Sequence, residues 1–191
     1  MLKDFLVLDF EFTHYTKPVG KPRGFFSEII EIGAVKYCGE TLEVIGQISE
    51  YVKPHFYPRQ AKEGMEFSMI SEKDMSAAIE FSEMLNKLRG LYVPNQSFFT
   101  TWGNADFNVL AEGCKRHGLE NPILPEDCLD MAAWYKWEMA DDYTTGLRKA
   151  MDEQRIDAGM FSHTACEDAA NTGKLLIKLL NSDWNPEDFL V

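Results

Sequence analysis

Residues 5–12, FLVLDFEF, place four consecutive apolar side chains ahead of two carboxylates separated by one phenylalanine. Such a run predicts a strand, and strand side chains alternate faces, so Asp9 and Glu11 project to one side while Phe10 and Phe12 project to the other. The apolar residues Phe5 to Leu8 predict that this strand is central and buried. Two carboxylates stacked on one face repel each other at neutral pH. A fold tolerates them where a cation neutralises the pair or where both face water. Taken alone, the pair leaves both alternatives open.

The following segments, 28–37 and 42–52, also read as strands, joined by a hairpin turn at Cys38, Gly39 and Glu40, so the first fifty residues predict an antiparallel meander. The connection 14–26 contains Pro18, Gly20, Pro22 and Gly24, too many breakers for a regular element, and is a candidate substrate-facing loop. Ser71 followed by Asp74 is a helix-start signal, and Ala78, Phe81, Leu85 and Leu88 recur at helical steps up to Gly90, which predicts one amphipathic helix. Residues 97–101 read as a short buried strand, followed directly by a helix that Asn104 caps and that ends near His117 and Gly118. Further helices are expected over about 129–139, 145–152 and 165–181, and the tail 182–191, with Trp184, Pro186 and Phe189, as an irregular cover. Strands first, then helices interleaved with strand, predict an α/β chain: a mixed sheet packed by helices.

The 191 residues suit a single domain over 1–191, with a core over about 5–180, large enough to fold without disulfide or structural metal. No apolar run is long enough for a membrane span, and the acids within the N-terminal apolar stretch do not suit a signal peptide. The chain is therefore expected to start at Met1 and to be cytoplasmic. Cys38, Cys114, Cys128 and Cys166 form no C-x-x-C pair and are expected as reduced, mostly buried thiols. A net charge of -12 argues against gripping long duplexes with the whole surface. Residues 14–62 nevertheless hold seven Lys or Arg against five Glu. If nucleic acid binds, that local basic segment matters more than the total, although a solvated surface explains the charge alone equally well.

Two later segments carry further candidates. In WGNADFNVL, Asp106 falls in the first turn of a helix just after a strand, where a carboxylate suits the helix N-terminus and where functional groups also gather. In HTACEDAANT, His163 and Asp168 are five apart, which on one continuous helix would set them roughly 140° apart. His163 is therefore expected in the loop before the helix, free to approach a metal that Asp168 holds. A structural or surface histidine is the competing explanation.

Together, D-x-E on the first strand, the mid-chain W-G-x-x-D-x-x-x-L and the late H-x-A-x-x-D-A-x-N-T resemble the three motifs of the DEDDh exonuclease family, in order and at similar separations. Within that family the chain is most similar to the KapD-like and Eri-like branch, through DFEFT, GFFSEIIEIGAV, WGNADFNVL and HTACEDAANT. The resemblance covers residues 5–180. It implies a ribonuclease H-like five-stranded sheet, three antiparallel strands followed by parallel ones, with helices on both faces. It also implies a 3′-5′ exonuclease in which Asp9, Glu11, Asp106 and Asp168 hold two Mg²⁺ or Mn²⁺ ions and His163 acts as general base. The partner would be single-stranded or short nucleic acid, RNA in preference to DNA, cut to nucleoside 5′-monophosphates. Phe10, Phe12, Phe67, Trp102, Asn108 and His163 are the residues expected to line the nucleotide pocket, with core packing the alternative for Phe67 and Trp102. Many relatives carry a small residue at the position of Phe12, and some carry proline at that of Ser27, so base seating departs from the pattern. A nucleotide-binding or nucleic-acid-binding regulator that keeps the fold without significant turnover is the alternative function.

Overall fold

The computed structural model describes residues 2–15, 20–159, 164–182 and 184–189, except the side chain of Glu63. Strand β1 (Asp4–Phe12) runs through the middle of a five-stranded sheet. It pairs antiparallel with β2 (Ile29–Tyr37), which pairs antiparallel with β3 (Val44–Tyr51). On its other edge β1 pairs in parallel with β4 (Ser97–Thr101), which pairs in parallel with β5 (Cys128–Asp130), giving the order β3-β2-β1-β4-β5. This is the mixed, three-then-parallel sheet expected from the sequence.

Between β3 and β4 the chain forms α1 (Ala61–Phe67), α2 (Glu72–Ser76) and α3 (Phe81–Leu91); α4 (Ala105–His117) crosses from β4 to β5. After β5 come α5 (Met131–Glu138), α6 (Leu147–Glu153), α7 (Ala165–Leu180) and the short α8 (Pro186–Phe189). Alternation along β1 divides the core in two. Leu6, Leu8 and Phe10 pack with Leu85 and Leu88 of α3 and Leu110 of α4. Phe5 and Val7 pack on the opposite face with Trp134 of α5 and with Leu175 and Leu176 of α7. Apolar burial on both faces is why β1 reads as a nearly unbroken hydrophobic run.

The sequence predicts one helix from Ser71 to Leu88; the structure breaks it. α2 opens on a capping box, with the Ser71 hydroxyl accepting from the Asp74 N–H at 3.1 Å and the Asp74 carboxylate accepting from the Ser71 N–H at 3.0 Å. The chain then extends at Ile79, whose N–H donates to the Tyr51 carbonyl while its own carbonyl accepts from the Lys53 N–H, both at 2.9 Å. Pairing with the end of β3 replaces a helical turn there, and the helical period resumes at Phe81. Gly90 sits inside the last turn of α3 rather than ending it. Three further expectations are corrected. Residues 128–130 form β5 rather than the start of a helix, because three residues are too few to show an alternation. Cys114 is buried, whereas Cys38, Cys128 and Cys166 are partly exposed; all four are free thiols. The tail is partly helical, and Trp184 packs on Trp134 and Tyr135 with ring centroids 5.8 and 5.9 Å apart. No helix among the described residues is long and apolar enough to cross a membrane.

Helix α7 lies very close to the sheet. A Cβ on Gly33 would stand 2.2 Å from the Ala165 carbonyl carbon and the Cys166 nitrogen, so only glycine lets the first turn of α7 rest on β2. Gly33 is also the register partner of Asp9. We predict that Gly33→Ala forces α7 outward and costs about 1 to 3 kcal/mol by overpacking, read as a lower urea midpoint. An unchanged midpoint would contradict this packing.

Candidate active site

Asp9 and Glu11 continue the face of β1 that Phe5 and Val7 begin, so the carboxylates stand where the apolar layer ends. α7 brings Asp168 to them. Thr164 caps that helix, its hydroxyl accepting from the Glu167 N–H at 3.3 Å and its carbonyl from the Asp168 N–H at 3.0 Å. One carboxylate oxygen from each of Asp9, Glu11 and Asp168 lies within 4.8 Å of the others. The Ser68 hydroxyl, just past α1, donates to Glu11 Oε2 at 2.5 Å.

Asp106 reaches the same strand from the other edge. It occupies the first turn of α4 and is buried, and its Oδ1 accepts the N–H of Phe10 at 2.9 Å. Phe10 lies beyond the last β1–β4 register pair, Val7 with Thr100, so Asp106 takes up a strand amide where parallel pairing has ended. Asn104 precedes α4 as expected, but its side chain makes no capping hydrogen bond.

The electrostatics follow from crowding same-sign groups out of water. Burial, and then Asp106, Asp168, Glu11 and Glu31, hold the Asp9 carboxyl well above the usual carboxylate range. Asp106 is pushed up to about 7, chiefly by burial, against the lowering effect of the Phe10 amide. Glu31 is also pushed up to about 7 by burial, with Glu11 and Asp168 adding to it and the Ala165 amide opposing. Glu31 faces Glu11 across the β1–β2 register, and its Oε2 accepts the Ala165 N–H at 3.3 Å at the start of α7. Sequence reasoning missed both Glu31 and Ser68. Glu31 left a signal, the one charged residue in IIEIGAV; Ser68 left none. An all-oxygen set of this density fits a hard divalent cation such as Mg²⁺ or Mn²⁺, because a cation removes the repulsion that otherwise keeps protons on the cluster.

The residues expected at a nucleotide pocket divide. The Phe12 ring lies 5.0 Å from the ring of His14, which lies 6.3 Å from that of Phe67, and Phe67 is 65% exposed, so a partly open aromatic group adjoins Glu11 and Ser68. Phe10 is corrected: its side chain is buried in the core, and its backbone amide is what reaches the site. Trp102 takes the core-packing alternative: its indole N–H donates to the Thr145 carbonyl at 3.1 Å and its ring packs 6.0 Å from Tyr135, holding the α5–α6 connection. Asn108 is exposed on α4, two residues from Asp106 and therefore about 200° around the helix from it, which turns it away from the acids. His163 lies outside the described residues.

A carboxylate whose pKa is raised on folding favours the folded state at low pH and loses that contribution as pH rises through its folded value. Metal-free protein is therefore expected to lose thermal stability between about pH 5 and 8, as Asp106 and Glu31 ionise near pH 7. Mg²⁺ or Mn²⁺ is expected to raise the melting temperature more at pH 8 than at pH 5. Equal metal-induced shifts across that range, by differential scanning calorimetry, would contradict the account.

Comparison with known proteins agrees with this geometry. Residues 6–176 match the family model described as Exonuclease. The chain is 36% identical over 180 residues to the probable 3′-5′ exonuclease KapD of Bacillus subtilis, covering 93% of this chain and 84% of that one. It is 27% identical over 197 residues to human ERI1 exoribonuclease 2, covering 92% of this chain and 28% of that longer protein. Among solved structures it superposes on the nuclease domain of 3′hExo, a DEDDh family member bound to rAMP, with a TM-score of 0.80 at 21% identity, covering 95% and 93% of the two chains. With the acids at the end of β1 and a family match along most of its length, this chain belongs to the exonuclease family, and its fold is that of a DEDDh nuclease domain.

Proposed function

We propose that this chain removes nucleoside 5′-monophosphates one at a time from the 3′ end of single-stranded or short RNA, with Asp9, Glu11, Asp106 and Asp168 holding two Mg²⁺ or Mn²⁺ ions. The observation that carries the proposal is the convergence of Asp9, Glu11 and Asp168 within 4.8 Å, with buried Asp106 raising Asp9 from the other side. Two bound ions would supply a nucleophilic hydroxide and stabilise charge on the departing oxygen. Asp106, anchored by the Phe10 amide, and Glu11, anchored by Ser68, keep their carboxylates oriented. His163, assigned by its motif position, takes a proton from the attacking water. The water oxygen bonds to phosphorus, the bond to the 3′ oxygen of the preceding nucleotide breaks, and that oxygen takes a proton from solvent water and leaves as a hydroxyl.

Phe12 and Phe67 supply faces for the terminal base, at roughly 1 to 3 kcal/mol per stacked base. The preference for RNA rests on the KapD-like and Eri-like sequence motifs and on two relatives, an exoribonuclease by name and a nuclease domain bound to rAMP.

The test is degradation of 3′-labelled and 5′-labelled single-stranded RNA and DNA with Mg²⁺, Mn²⁺ or chelator. Wild type is expected to release 5′-monophosphates from the 3′ end only with metal, faster from RNA, and Asp106→Ala is expected to be folded and inactive. Metal-stimulated hydrolysis by Asp106→Ala at the wild-type rate would overturn the site. Tight binding by wild type without release would favour a regulator. His163→Ala is expected to lower kcat about 100-fold or more while Mn²⁺ still binds, as for a lost general base; loss of Mn²⁺ binding would make His163 a ligand instead.

A further inference from the structure

Residues 20–26 and 53–62 together carry five Lys or Arg and no Asp or Glu, in a chain whose net charge is -12. Apart in sequence, the two segments are packed together. The Tyr57 ring lies 5.0 Å from Phe25 and 5.5 Å from Phe26, and its hydroxyl donates to the Gly24 carbonyl at 3.1 Å. Tyr15 extends the same group, 5.8 Å from Phe25. Neither segment before α1 contains a helix or strand, so something else must fix its shape.

That element is Glu28. It is buried, and its two carboxylate oxygens accept three consecutive backbone N–H groups, from His55 at 2.6 Å, Phe56 at 2.8 Å and Tyr57 at 2.6 Å. Glu28, the acid that holds the two segments together, is thus turned inward and consumed by amides rather than by the neighbouring cations. Among the described residues, Lys21, Arg23 and Arg59 pair with no carboxylate, whereas Lys53 and Lys62 approach Glu80 and Glu72. Lys21 Nζ stands 5.4 Å above the Phe25 ring, so charge and aromatic surface are interleaved.

Both segments are tied to elements that carry the catalytic acids. The first leads through Glu28 into β2, and Glu28 is bonded to Thr13, two residues after Glu11: the Thr13 N–H donates to the Glu28 carbonyl and the Glu28 N–H to the Thr13 hydroxyl, both at 2.9 Å. The second runs into α1, where a Cβ on Gly64 would lie 3.2 Å from the Phe12 carbonyl and which ends at Ser68, the donor to Glu11.

We propose that this surface, with half-exposed Tyr15, Phe25 and Tyr57 as stacking faces and Lys21, Arg23 and Arg59 as phosphate contacts, is a ledge that binds the single strand upstream of the terminal nucleotide. The proposal rests on the exonuclease reading and adds where the rest of the substrate lies. A cationic track with interleaved aromatic rings is the chemistry that holds a single-stranded backbone with little regard to base identity. It also accounts for how so acidic a protein holds a polyanion at all.

The test uses the 191-residue chain in chelator, so that binding is read without turnover, with 5′-fluorescein-labelled single-stranded RNA of two and of ten nucleotides, by anisotropy across a salt series. Wild type is expected to bind the ten-mer at least tenfold more tightly than the dimer. Lys21→Ala/Arg23→Ala/Arg59→Ala is expected to weaken the ten-mer about tenfold or more and to flatten the slope of log affinity against log salt by about 2, at roughly 0.7 per lost phosphate contact. Lys136→Ala/Lys149→Ala/Lys178→Ala removes equal charge from α5, α6 and α7 and is expected to change ten-mer affinity less than threefold; melting curves confirm that both variants fold. Ten-mer affinity and salt slope unchanged in the first variant, or lowered equally by both, would overturn the ledge. The two proposals fail separately: binding along the ledge without cleavage by wild type sinks the exonuclease reading alone, and cleavage with no loss of ten-mer binding in the first variant sinks the ledge alone.

Discussion

Mutual repulsion among buried and half-buried carboxylates is the constraint around which the rest of this molecule is arranged. Asp9, Glu11, Asp168, Asp106 and Glu31 converge where the hydrophobic layer of β1 runs out, and without a cation the cluster lowers its charge by keeping protons. Such a grouping is costly to a fold that needs only stability. It is consistent with a site organised for divalent metal, and the fold holds it in place with rigid elements. β1 is paired on both edges, α7 is pressed against β2 over Gly33, and α4 is tied to β1 by the hydrogen bond from Phe10 to Asp106. Each acid therefore comes from an element fixed by packing, which limits how far the carboxylates can retreat from one another.

Glu28 and Glu31 show two uses of a buried acid three residues apart. Glu28 accepts three backbone amides and shapes a loop. Glu31 accepts one amide at the start of α7 and otherwise faces Glu11 and Asp168; burial chiefly, and those two acids after it, raise its pKa, and it joins the electrostatics of the site. Spatial order explains the difference: Glu28 precedes β2, where the neighbouring chain is irregular and has amides to donate, whereas Glu31 lies inside the sheet, where backbone amides are already paired.

Much of the architecture was legible because β1, β2 and β4 are buried on both faces and read as apolar runs, and because α3 and α7 have clear helical periods. Asp9, Glu11, Asp106 and Asp168 stood out as acids at a strand end and near helix starts, but only the resemblance of the three motifs joined them into one site. What sequence did not show depended on partners distant in the chain. The break at Ile79 exists only because Tyr51 and Lys53 offer pairing, and Ser68 matters only because α1 ends beside Glu11. Phe10 differs: alternation already turned its ring from the acids, and what needed the fold was the role of its amide, which reaches Asp106.

The most direct test of the central claim is proton release on metal binding, from calorimetric titration of Mn²⁺ in buffers of different ionisation enthalpy between pH 6 and 9. If the acids hold protons that a cation displaces, saturation near pH 6.5 releases on the order of one proton or more, falling toward zero by pH 9. Binding that releases no protons anywhere in that range, or no binding at all, would contradict the account.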